Sequence, residues 1–124
     1  MTPLIQVALG GALGASARYL TGIVMVRLLG RGFPWGTLTV NFLGSLLMGV
    51  LVVVLAHKTD NRFAPLLMTG VLGGFTTYSA FSLDAITLYE RGQIGLAALY
   101  VAVTLILALG GIAAGLFIAR GIVA

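Results

Sequence analysis

Residues Trp35 to Ala56 read WGTLTVNFLGSLLMGVLVVVLA, a run without Lys, Arg, Asp or Glu. A backbone in lipid must satisfy its N–H and C=O groups internally, so only helices and closed barrels cross a bilayer. Barrel strands alternate apolar and polar residues, whereas Val50 to Leu55 is apolar on both parities. The run therefore reads as a helix, and it supplies the roughly 20 apolar residues that a crossing needs. Pro34 stands at its start, where its missing N–H costs nothing.

Three more stretches have the same character. The expected spans are residues 4–26, 35–56, 64–88 and 94–119, one four-helix transmembrane unit over 1–124. Charged breaks separate them: Arg27 to Arg31, then His57 to Arg62 with Lys58 and Asp60, then Glu90-Arg91-Gly92. Trp35 and Tyr89 fall at expected water interfaces, where amphipathic rings are favoured. Charged residues make up only 8% of the chain, too few to coat a soluble surface, and the mean hydropathy is +1.13. Lipid is the expected solvent. The N-terminal stretch lacks a basic leader and carries Arg18, so it reads as a retained helix rather than a signal peptide. The net charge of +4 is modest and dispersed, which does not suggest a nucleic-acid partner. With no cysteine there is no disulfide framework. No Ser-His-Asp set, metal-ligand cluster or phosphate loop is present, so an enzyme is not expected.

Four spans put both termini on one side. Lys58, Arg62 and Arg120 then face Arg27, Arg31 and Arg91 across the membrane. The positive-inside bias is absent. Either loop position sets orientation, or the chain inserts both ways and pairs with an inverted copy. A four-helix bundle fills its own centre, so a pathway shared between subunits is expected. Gly10/Gly14, Gly70/Gly74 and Gly111/Gly115 supply close-packing faces, either within one chain or between two.

Polar groups inside a bilayer each need a reason. Arg18 either snorkels to the headgroups or lines an electropositive vestibule. Thr37 and Asn41 share one helical face; the amide either bonds another helix or replaces the hydration of an anion. Gly73-Gly74-Phe75-Thr76-Thr77 is a poor helix centre. The spacing favours a kink whose carbonyls are met by hydroxyls over a break that lines a cavity. Freed carbonyls would suit an alkali cation. Tyr78 and Phe81 share a face and either pack or offer ring edges to an anion. Ser79 and Thr104 are hydroxyl donors that ordinarily bond their own helix. Asp84 and Glu90 lie toward the end of the third span, and no carboxylate falls near the middle of any span.

Across nearly its whole length the chain resembles the Fluc (CrcB) fluoride channels. The resemblance rests on Gly10-Gly11-Ala12-Leu13-Gly14-Ala15-Ser16-Ala17-Arg18-Tyr19, on Gly36-Thr37 through Asn41 and Gly44, and most specifically on Gly73-Gly74-Phe75-Thr76-Thr77 with Ser79 and Phe81. It implies an all-α membrane protein with the third helix broken near its centre. It further implies an antiparallel dual-topology homodimer in the bacterial inner membrane, exporting fluoride passively. The implied fluoride pathway comprises Asn41, Tyr78, Ser79, Phe81 and Thr104, with Arg18 in the vestibule and Thr37 as a supporting polar group. A structural Na⁺ on the two-fold axis would take the backbone carbonyls of Gly73 and Thr76.

Two departures from the family pattern stand out. Tyr78 replaces the usual phenylalanine, and Ala80 replaces a commonly hydroxylated position. A chain paired with a non-identical partner would tolerate such drift. The alternatives to a channel are a small dual-topology exporter of drugs or cations, and a non-transporting membrane assembly subunit.

Overall fold

The computed structural model describes residues 1–58 and 61–123; Asp60, counted above as a loop acid, lies outside the described residues. The protein is helical, with four helical stretches long and apolar enough to cross a membrane. Helix α1 spans Pro3–Leu29. Thr2 caps it by accepting from the Ile5 N–H at 3.3 Å, and Pro3 takes the first turn. It stops at Gly30, whose φ of 80° suits a residue without a side chain. Helix α2 spans Trp35–Ala56.

The third stretch is composite. A π-helical segment, Pro65–Leu72, leads into the single turn α3, Gly73–Phe75. Residues 76–78 are not helical, and Thr76 is extended with φ −86° and ψ 160°. Helix α4, Ser79–Glu90, follows, and Gly92 at φ 80° turns the chain into α5, Ile94–Val123. Helices α1 and α5 run past the expected spans because Arg27 and Arg120 sit in their last turns. Cations are favoured there by the helix dipole.

The non-helical residues change which neighbour the third stretch follows. Before them, the π segment and α3 pack along α1; after them, α4 packs on α5. Helix α2 lies along α5 and also touches α1. Both tight seams are built from glycine. A Cβ on Gly74 would come within 2.8 Å of the Gly11 carbonyl oxygen, and one on Gly70 within 2.9 Å of Gly10 Cα. Along α2 and α5, a Cβ on Gly49 would lie 2.9 Å from the Leu116 nitrogen, and one on Gly115 would be 3.1 Å from the Val50 nitrogen. The paired glycines, open in sequence to packing within or between chains, thus pack within the chain. Backbone contact of this kind supplies dispersion energy that lipid tails cannot match.

Tyr100 is wholly buried and centres an aromatic core with Leu38, Leu88 and Ala97. Phe33 and Phe81 both hold their rings 5.4 Å from that of Tyr100. Outside, Leu4, Leu13, Leu109, Phe117 and Ile122 are among many exposed apolar side chains. An outward-facing apolar coat of this extent requires lipid or further protein around it.

Candidate ion pathway

Asn41 and Thr77 organise the non-helical residues. The Asn41 Nδ2 donates to the Thr77 carbonyl at 2.9 Å, and its Oδ1 accepts from the Thr77 N–H at 2.8 Å. In an unbroken helix that N–H would serve the Gly73 carbonyl. The Ala80 N–H, which would serve Thr76, instead reaches Thr77 Oγ1 at 3.1 Å. Among the described residues no hydrogen bond is found to either the Gly73 or the Thr76 carbonyl. Other groups are met locally. Thr76 Oγ1 donates back to Leu72 at 3.0 Å, and Ser82 Oγ donates to Tyr78 at 3.1 Å. Gly44 makes room for Thr76, since a Cβ there would collide with the threonine methyl.

A cleft of about 370 Å³ opens beside this turn. Asn41, Gly73, Thr76, Tyr78, Phe81 and Thr104 all line it. Three separate helical stretches thereby bring most of the expected pathway residues to one place. Thr104 is only 4% exposed, yet among the described residues its hydroxyl has no partner. Sequence alone led to a hydroxyl bonded to its own helix. A buried unpaired hydroxyl costs about 1–3 kcal/mol, and this one lines a largely apolar cleft beside Asn41 and Thr76. Tyr78 is 79% exposed and meets Phe81 edge-on at 5.8 Å. Ser79 is not among the residues lining this cleft; it is exposed at the start of α4, with its Oγ 3.5 Å from Thr77 Oγ1.

Arg18 and Thr37 belong to a second, larger cleft of about 740 Å³. The Arg18 Nε donates to the Gly74 carbonyl at 3.1 Å, so the guanidinium is tied to α3 rather than merely stretched toward headgroups. Thr37 Oγ1 donates to Asp84 Oδ2 at 2.7 Å, and the Tyr100 hydroxyl donates to the same oxygen at 3.2 Å. Thr37 and Asn41 do share a face, and both use it to hold the third stretch.

Sequence reading passed over the Asp84–Tyr100 pair. The available signal was Tyr100 itself, since a buried phenol in an apolar helix needs an acceptor. Gln6 was passed over too. It is 5% exposed, and its Oε1 accepts from the Leu66 N–H at 3.3 Å, at the start of the π segment.

The sequence model of the family described as CrcB-like protein, Camphor Resistance (CrcB), matches residues 5–116. The fluoride-specific ion channel FluC of Cereibacter sphaeroides is 67% identical over 121 residues, covering 98% of this chain and 97% of that protein. The FluC of a Ruegeria species is 56% identical over 120 residues, covering 96% and 95%. That of Agrobacterium fabrum is 47% identical over 124 residues, covering 98% and 99%. Likeness of this extent runs through all four membrane-crossing stretches and both clefts, and the chain is a multi-pass membrane protein belonging to the CrcB family.

Proposed function

We propose that the protein is a fluoride-selective channel that lets fluoride leave the cell passively across the bacterial inner membrane. The relatives carry the name of fluoride-specific channels. Within this chain, the observation that supports the same reading is the unpartnered Thr104 hydroxyl in a cleft shared with Asn41, Tyr78 and Phe81. Fluoride is small and strongly hydrated, so a pore must offer hydrogen-bond donors in exchange for water. The Thr104 hydroxyl, the second N–H of Asn41 and the Tyr78 phenol are such donors. Ring edges of Phe81 and Tyr78 add a weaker positive contribution. Ser79 joins the pathway at the exposed end of the turn. The arginine-rich cleft around Arg18 raises local anion concentration ahead of the narrower passage.

In this reading the functional unit is an antiparallel dual-topology homodimer, with the third helix serving as a broken helix. The exposed apolar faces and the balanced loop charge support an inverted second copy. Gly73 and Thr76 would hold a structural Na⁺. Their carbonyls are hard oxygen donors that find no hydrogen-bond partner among the described residues, which suits an alkali cation. Bound there, the ion would supply a fixed positive charge in a low-dielectric region.

The test is an efflux assay on proteoliposomes loaded with fluoride or chloride. Fluoride is expected to leave far faster than chloride. Equal rates, or fluoride loss no faster than from empty liposomes, would remove the proposal.

A further inference from the structure

Four of the chain's seven basic residues line the 740 Å³ cleft: Arg18, Arg27, Arg31 and Arg91. They come from α1, the following loop and the turn after α4, so only the fold gathers them. Asp84 is the one carboxylate there among the described residues, and one of its oxygens already accepts from both Thr37 and Tyr100. The cleft therefore carries a strong positive excess. A monatomic ion needs no cavity of this size, whereas polyatomic ligands occupy pockets of about 300–1,000 Å³. Guanidinium groups match the paired oxygens of phosphate bidentately. Trp35, at the mouth of α2, lines the same cleft, and such rings mark the headgroup level. The start of α2 has no side-chain cap, which leaves its dipole facing the same space.

We propose that this cleft is a binding site for a phosphate group, supplied by an anionic lipid headgroup or by free phosphate. The site is the same cleft read above as the vestibule, and its test reads binding directly, independently of fluoride conduction.

Protein reconstituted in vesicles of equal phosphatidylglycerol and phosphatidylcholine would be released into the gas phase and its retained lipids weighed by native mass spectrometry. In parallel, inorganic phosphate would be titrated into detergent-solubilised protein at constant ionic strength, with line broadening of the phosphorus resonance as the readout. Each arm would be run on the wild type, on Arg27→Gln/Arg31→Gln and on the equally discharged Lys58→Gln/Arg120→Gln. Arg18 is left in place. Selective retention of phosphatidylglycerol that falls about thirtyfold in the cleft variant alone assigns the site to a lipid headgroup. Saturable broadening by inorganic phosphate, lost in the same variant alone, assigns it to free phosphate. No preference in either arm, or equal loss in both variants, overturns the proposal.

Discussion

The Asn41 carboxamide and the Thr77 peptide form a two-bond pair, at 2.8 and 2.9 Å, between α2 and the turn that follows α3. One side chain thus satisfies both main-chain groups of Thr77, a residue that lies outside any helix. Asn41→Leu removes the partner of both half-buried groups, at up to about 1–3 kcal/mol each. The expected result is a clear fall in the thermal unfolding midpoint in detergent together with loss of fluoride flux. Asn41→Asp keeps the acceptor alone and should fall between the two. An unfolding midpoint for Asn41→Leu equal to the wild type would show that the pair does not hold the turn.

Thr104 offers the opposite pattern. Thr104→Val keeps the shape and removes a hydroxyl that has no partner. Stability should stay the same or rise slightly, because a desolvated polar group is gone. Fluoride efflux should fall on the order of tenfold, the worth of one hydrogen bond to a charged group. A stability loss with unchanged efflux would make Thr104 a structural residue.

The glycine seams can be separated from the glycine content. A Cβ on Gly14 would meet the backbone of Val71 and lie 2.9 Å from the Phe75 nitrogen, whereas one on Gly11 meets nothing within 4 Å. Gly14→Ala should destabilise by about 1–3 kcal/mol through overpacking. Gly11→Ala should be neutral or mildly stabilising, since alanine is the better helix former. Reversal of that order in equilibrium unfolding would contradict the packing described.

Tyr78 and Phe81 should respond differently although their rings touch. Tyr78 is 79% exposed, so Tyr78→Phe removes only a hydroxyl and should leave stability within about 0.5 kcal/mol. Its fluoride efflux should fall by less than that of Thr104→Val, because the ring edge stays and the donor lost is an exposed one. Phe81 packs against the buried Tyr100 ring at 5.4 Å. Phe81→Ile should cut efflux while preserving the assembled protein in size-exclusion chromatography. Unchanged efflux would count against a pore role for the ring.

The membrane-crossing helices were legible because their cause is local. Trp35 to Ala56 has no charge to bury and enough length to cross, and nothing elsewhere in the chain can alter that. The poor helix centre at Gly73 to Thr77 was legible for the same reason, since two glycines and two threonines weaken a helix wherever it lies. What the weakness becomes was not legible. Spacing by itself favoured a kink; the tertiary structure supplies Asn41, on another helix, to take the Thr77 N–H and leave the Gly73 carbonyl without it. Arg18 shows the same limit. Its charge was plain, but the choice between headgroups and the Gly74 carbonyl depended on a residue 56 positions away. The Asp84 carboxylate, placed only near a helix end by sequence, receives two hydroxyls through packing of α2 and α5 against α4. Sequence determined that this chain lives in lipid and where its helix is weak, because hydropathy and propensity add up along the chain. Tertiary structure decided which polar groups are spent on each other and which, like the Thr104 hydroxyl, find no partner among the described residues, because hydrogen bonds depend on where distant residues meet.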